Sequence, residues 1–457
     1  MRLSIRNSLA LRTAGLVAAA VAMTGTAAAQ QVTAEPVDPD PGYESVEEAF
    51  AAEAQSAPMV QPIPEKILVR DWSIANAQAL LGIVESIGTE GLIPADYKPA
   101  ELRAAIAAGT SPQLNDIASR TFIWLVEDLR DGRTPMDARK QWFVFDPDAD
   151  RMPSEDLLKQ ATANGDVAGV LASLAPQVPE YDALKAELAK TPAAQTKKRA
   201  LIQANMDRWR WLARDLGRQY LITNVPEYQL RLTVNDKIIR TYKTIVGKPG
   251  STATPQLAEN VEGVIFNPTW TVPQSIVKGE GLGAKVLGNP AWAQRAGYKA
   301  TKGANGFVTV VQQPGPTNSL GMMKLDMPNA HAIFLHDTPS RGLFGQDSRA
   351  LSHGCIRTER AVELAMTLAI LQAKMPAAEA VEISKSGEYT RVGFERKMPV
   401  YITYFTMGSD IDGTMRSFAD IYGRDAPVLE SFQAPRKPNR SRVTDEEVVE
   451  IIDDLRT

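Results

Sequence analysis

A single cysteine, Cys355, stands in a chain of 457 residues that has just three histidines. All four residues fall within 25 consecutive positions: His331 and His336 in "NAHAIFLHDTPSRG", His353 and Cys355 in "LSHGCIRTER". A thiol becomes an acyl-accepting nucleophile when an imidazole takes its proton or a positive field stabilises the thiolate. Both sources are near. Arg357 adds a full charge two residues beyond the thiol. The run "ERAVELAMTLAILQA" predicts a helix capped by Thr358, whose dipole would favour an anion three residues upstream. The apolar run Ala332 to Leu335 predicts a buried strand that delivers His336 to its end. Gly354 admits backbone conformations that other residues resist and leaves room for a carbonyl, and amides near Cys355 could hold an oxyanion.

Two other readings compete. Imidazoles and a thiolate suit zinc, but the offsets of 5 and 17 between the histidines match no common metal pattern. His331, at an odd offset from His336, also points to the opposite face of a strand. The third reading is a buried cysteine packed as a small apolar residue, beside histidines with local hydrogen bonds. The confinement of all four to one segment, beside Gly354 and Arg357, weighs against it. Neither a metal nor a cofactor is expected.

The elements that must position these residues follow from the rest of the chain. A hydrophobic content of 44% and charged content of 23% are ordinary for globular protein, and a net charge of −4 gives no reason to expect nucleic acid. One cysteine excludes an internal disulfide. Residues 1–29 have the charged, apolar, small-residue order of a signal peptide, with cleavage after Ala29; left uncleaved, the segment would tether the protein to the inner membrane. Residues 30–65, rich in Pro, Ala and Glu, predict a flexible linker. From residue 66 to 216 the period is helical: Ser73 caps one helix that Gly88 can end, a second runs to Gly132, and others cover Ser154–Ala175 and Tyr181–Leu216. Near Arg218 the period changes to two. A β-rich domain follows with an Asn-Asp turn and one helix inside it, then a last β-like stretch with an Asp-Gly turn at Asp412-Gly413. Residues 426–457 predict a polar tail with a short helix begun by a capping box, Thr444 and Glu447.

At these residues the chain resembles a known family. "IFLHDTPSRGLFGQDSRALSHGCIR" is similar to the signature of YkuD-type L,D-transpeptidases. "RWRWLARDLGRQYLITNVPEYQLRL", "IVGKPGSTATPQ", "VIFNPTWTVPQSI" and "YITYFTMGSDIDGTMRSFADIYGRD" resemble segments of its large periplasmic members, and the stretches at Leu92–Tyr97 and Leu129–Pro135 resemble their helical scaffold domain. The likeness runs from about Trp72 to Asp425. It implies an α+β multidomain protein: the helical scaffold, then a mostly β, sandwich-like catalytic domain over 217–425 with a mobile lid around 275–323. It implies Cys355 as nucleophile and His336 as general base, His353 as auxiliary, and the carbonyl of Asp337 as the group that orients His336. Gly354 would serve the oxyanion loop, Arg357 a substrate carboxylate or the loop itself. Trp270 is a candidate substrate contact, although Trp209, Trp211 and Trp270 are residues more often found in cores.

The implied partners are peptidoglycan tetrapeptide stems, in the periplasm, and the implied reaction is 3→3 cross-linking. An L,D-carboxypeptidase, a lipoprotein-tethering or detaching enzyme, and a poorly active wall-binding scaffold are the alternatives. Two departures stand out. Only "YDALKAELAKTPAAQTKKRALIQANM" occupies the place before "RWRWL" where large relatives insert a small wall-binding module, which is expected to be absent or vestigial here. Phe334 also stands where relatives often carry a tyrosine.

Overall fold

The computed structural model describes residues 68–279, 281–437 and 441–447. The predicted signal peptide and linker, and most of the predicted C-terminal helix, lie outside these residues.

The helical region begins with α1 (Ile74–Ser86), where the Ser73 side chain accepts from the Asn76 amide and satisfies one of the orphan donors of the first turn. After α2 (Pro99–Ala107), the 20-residue α3 (Pro112–Asp131) starts at Ser111, which accepts from the Leu114 amide. It stops at Gly132, whose φ of 85° only glycine adopts without strain. α4 (Ser154–Asn164) and α5 (Val167–Ala172) close a core with Trp72, Leu80, Leu114, Phe122 and Leu158. α6 (Pro179–Lys190) and α7 (Thr196–Trp209) follow, five residues apart, where the departure from the large relatives was noted. Residues 210–216, expected to be helical, lie beyond the end of α7.

The β-rich region opens with β1 (Gln219–Asn224), β2 (Gln229–Val234) and β3 (Lys237–Gly247). Asn235 and Asp236, at φ 47° and 59°, make the two-residue turn between the last two. β4 (Leu257–Phe266) leads into a small annex: β5 (Trp270–Thr271), short helices α8 (Gln274–Gly279), α9 (Leu282–Gly288) and α10 (Pro290–Arg295), then β6 (Tyr298–Lys302) and β7 (Val308–Gln312). The annex has its own sheet, β5-β7-β6, and its own core of Trp270, Val272, Ile276, Val286, Val310 and Leu320 among others. The chain returns through β8 (Met323–Asp326), β9 (Leu335–His336), β10 (Ala350–Ser352) and β11 (Ile356–Thr358). Two helices, α11 (Ala361–Ala373) and α12 (Ala377–Ser386), precede the 14-residue β12 (Thr390–Thr403). The hairpin β13 (Met407–Ser409) and β14 (Met415–Ser417) and the helix α13 (Asp425–Gln433) complete the fold.

Nine strands form one sheet in the order β10-β3-β11-β9-β8-β4-β12-β1-β2. It closes on itself because the long β3 pairs with β2 along its first part and with β11 and β10 at its end. Its core holds Leu221, Val264, Leu335, Ile356 and Val400 against Leu364 and Leu368 of α11.

Three expectations need correction. The helix after Cys355 starts at Ala361, with Arg360 in the left-handed region as its N-cap and no side-chain cap; Thr358 belongs to β11. Residues 356–358 pair with both β9 and β3, and these ladders outweigh the local capping preference. The helix dipole is therefore too far along the chain to act on Cys355 as expected. Second, the β-rich domain holds more than one helix, and the first part of the last β-like stretch is built into its main sheet. β12 lies inside the sheet, parallel to β1 and antiparallel to β4. Third, the tail is built into the fold as far as residue 437: Val428 is buried, and Arg436 donates to Asp128 (2.9 Å) and to Glu127 of α3.

Candidate active site

Three neighbouring strands, β8, β9 and β11, carry the site. Lys324 pairs with His336 across β8–β9, and His336 with Arg357 across β9–β11. Alternate residues share a face, so Lys324, Phe334, His336, Cys355 and Arg357 lie on one side of the sheet. Leu325, Leu335 and Ile356 enter the core on the other. The Phe334 and His336 rings meet edge to face with centroids 5.6 Å apart. The amide of Ile356 donates to the Phe334 carbonyl, which sets Cys355 beside Phe334. Strand spacing and rise then put the Cys355 and His336 Cα atoms about 8 Å apart, within reach of a thiol and an imidazole that point the same way. Cys355 is buried, and its thiol donates to the Ala332 carbonyl, 3.6 Å away.

His336 is fully buried, and its Nδ1 lies 2.6 Å from the Asp337 carbonyl. A carbonyl only accepts, so Nδ1 carries the hydrogen and Nε2 keeps the basic lone pair. Burial, then the Arg357 charge and the weaker one of Lys324, push the imidazole's pKa down to about 3, against the pull of the Asp337 and Leu320 carbonyls. At neutral pH the ring is uncharged.

The loop before β11 is fixed by hydroxyls. Gly354 has φ 122°, a conformation that needs glycine. The Ser352 hydroxyl donates to the Cys355 carbonyl (2.6 Å) and accepts from the Gly354 amide (3.1 Å). Thr254 Oγ1 donates to the Gly354 carbonyl (2.7 Å) and accepts from the Gly247 amide (2.9 Å). The Tyr422 hydroxyl donates to the Gly247 carbonyl (2.6 Å) and accepts from the Thr254 amide (3.2 Å). Arg424, packed on the rings of Tyr404 and Tyr422, donates to the Thr254 carbonyl (3.1 Å) and to the Gln141 side chain.

A second turn fixes the carbonyl that meets the thiol. Ala332 has φ 51°, unusual for a residue with a side chain. The Asn329 amide group holds it there: Oδ1 accepts from the amides of His331 and Ile333, and Nδ2 donates to the carbonyls of Met327 and Ile333. His331 is seated against Phe143, ring centroids 4.2 Å apart, rather than beside His336. His353 is buried in the loop next to Cys355. Among the described residues no group of three or more His, Cys, Asp or Glu side chains gathers in a way that could hold a metal ion. The Asp337 carboxylate accepts from the Met322 amide (2.9 Å) and from Arg341 (3.2 Å), tying the end of the annex to the site. Gly321, at φ 63°, leaves room for it, since a Cβ there would lie 2.5 Å from the Asp337 carboxyl carbon.

Trp270 is the site residue the structure moves elsewhere. It is 4% exposed and fills the annex core, because β5 pairs with β7 and turns the ring inward. Thr254, Asn329, Tyr422 and Lys324 had no assigned role in the sequence reading. Asn329, after a proline and before an alternating run, carried a turn signal that could have found it. For the others no local signal exists.

Residues 218–402 match the family model of the L,D-transpeptidase catalytic domain, YkuD, and residues 71–188 match that of the scaffold domain. Residues 218–402 thus form a YkuD domain. A Haemophilus influenzae protein named "Putative L,D-transpeptidase" is 29% identical over 223 residues, which cover 46% of this chain and 45% of that relative. The match thus spans less than half of the relative's length. Among solved structures, an L,D-transpeptidase from Mycobacterium smegmatis is 13% identical over 41% of this chain and 58% of that one, with a TM-score of 0.21. L,D-transpeptidase 1 of Mycobacterium tuberculosis is 12% identical over 40% and 62%, with a TM-score of 0.18. In the YkuD domain, the sheet face that carries Cys355, His336 and Arg357 falls wholly inside the matched residues.

Proposed function

We propose that this protein is an exported peptidoglycan L,D-transpeptidase that forms 3→3 cross-links through a Cys355 acyl-enzyme. The observation that carries the reading is the placement of Cys355 and a neutral His336 on adjoining strands of a YkuD domain, facing the same way. Sγ attacks the carbonyl on the L-centre of diaminopimelate in a tetrapeptide stem as His336 Nε2 takes the thiol proton. The proton passes to the nitrogen of the terminal D-alanine as the C–N bond breaks, leaving a thioester. The side-chain amine of a second stem attacks the thioester, His336 accepts its proton, and the thiol is restored. The backbone amide of Cys355 stabilises the oxyanion in both halves, since that of Gly354 donates to the Ser352 hydroxyl. His353 lines the loop as an auxiliary group. The order of the N-terminal 29 residues supports export to the periplasm, where cross-links of this kind bear on wall organisation and cell shape.

Mass spectrometry of the protein with disaccharide-tetrapeptide tests this. Dimers that have lost one D-alanine, formed with Cys355 and not with Cys355→Ala, are the expected result. Tripeptide monomers alone would make it an L,D-carboxypeptidase. The absence of both product and acyl-enzyme mass would sink the proposal.

A further inference from the structure

Lys324 stands directly across from His336 in the β8–β9 register, on the side of the imidazole opposite to Arg357. Its ammonium lies over the Phe334 ring, 4.1 Å from the centroid, half-buried on the site face of the sheet. Its charge is felt at His336, whose proton affinity it lowers. The carboxylates nearby are engaged elsewhere. Asp337 accepts from the Met322 amide and Arg341, and Asp326, two residues along β8, is held by Arg391 (2.7 Å to Nε). An ammonium held on an aromatic face beside an uncharged imidazole is arranged to receive an anion from outside the protein.

We propose that Lys324 binds the terminal carboxylate of the donor stem, the one carried by the departing amino acid, and thereby selects stems with a free C-terminus. The assignment rests on the acyl-transfer reading above and follows from the order of the strands. The nucleophile belongs to β11 and the base to β9, so the leaving nitrogen, which must reach His336 to be protonated, departs on the side away from the thiol. One carbon beyond that nitrogen is its carboxylate, and the strand on that side is β8. Arg357 lies on the nucleophile's own strand and is less well placed for it. A carboxylate bound at Lys324 also offsets the charge that depresses His336, so the imidazole becomes the stronger base when a substrate is present.

The test measures binding without turnover. The full chain carrying Cys355→Ala is titrated calorimetrically with disaccharide-tetrapeptide as the free acid and as the C-terminal amide, with and without Lys324→Met. The parent is expected to bind the acid about 10-fold more tightly than the amide, within the range for a partly desolvated charge pair. Lys324→Met should erase that preference by weakening the acid alone, and Lys324→Arg should keep most of it. In the Cys355 protein the acid should be favoured over the amide in kcat/KM, and Lys324→Met should remove that preference. A preference that persists in Lys324→Met, an equal loss for both ligands, or a parent that does not distinguish them would each overturn the assignment. Lysine-dependent selection of the acid by a protein that releases no product would sink the transpeptidase reading and leave this one standing.

Discussion

The imidazole sits on β9 and the thiol one residue before β11, in a nine-stranded closed sheet, whereas the annex whose end meets them has a separate core of eight buried side chains. The two regions are held differently. Around Cys355 the loop carbonyls and amides are matched one by one with hydroxyls of Ser352, Thr254 and Tyr422, and the last two residues rest in turn on Arg424. The annex relies on apolar packing of a small sheet, on the buried amides of Gln312 and Asn318, which donate to the carbonyls of Ala296, Thr317 and Pro268, and on the Asp337 carboxylate that ties its end to the site. A small core makes for low local stability. The comparison predicts that the annex exchanges more readily than the sheet, which the lid expected around 275–323 would require.

Four measurements can break or sharpen that contrast. The largest effect is expected at the sheet: His336→Gln should lower acylation by about 10²–10⁴-fold with an unchanged melting transition, read as acyl-enzyme formation rate by mass spectrometry. Trp270→Ala should cost about 3–5 kcal/mol of local stability, seen as faster hydrogen exchange at 270–312 with β9 and β11 amides unchanged. Equal loosening of β9 and β11 would erase the distinction between the regions. Thr254→Val leaves the Gly247 amide and the Gly354 carbonyl without their shared hydroxyl; about 1–3 kcal/mol of stability should be lost in denaturant titration, together with part of the acylation rate.

The smallest shift concerns pH. With His336 at about 3 in the folded chain, the acid limb of acylation should fall far below the ordinary histidine value of 6.5, and Arg357→Gln should move it upward by removing a depressing charge. The linked stability is fully present above pH 6.5. It is lost as pH falls through that value towards about 3, because the unfolded chain binds the proton first. A limb near 6.5 in the wild type would show that the site is wetter than its burial indicates.

The sequence made some of this legible and hid the rest for physical reasons. Helices with their own signals were readable, as Ser73 and Gly132 show, because a cap or a positive φ acts within a few residues. The Asn235-Asp236 turn was readable on the same ground. The strand at Ile356–Thr358 was not, since its pairing partners lie over 20 and over 100 residues away and no local pattern distinguishes it from a helix start. The cluster of Cys355 and His336 stood out by composition alone, while Trp270 was misplaced because its burial depends on β7, 40 residues on. Thr254 and Tyr422 are common residue types whose roles exist only once β3 and the C-terminal segment meet.

The stack of Tyr404, Tyr422 and Arg424 carries a practical consequence for anyone trimming the protein. The matched family boundary is residue 402, yet the hydroxyl that props Gly247 and Thr254 comes from residue 422, and the guanidinium above it reaches back to Gln141. A fragment cut at the domain's nominal edge would keep every residue of the sheet face and lose the prop beneath its nucleophile loop. The smallest piece that retains the brace runs from before Gln141, inside the scaffold-domain match, to beyond Arg424, past the end of the catalytic-domain match, so the unit of chemistry crosses both boundaries of the catalytic domain.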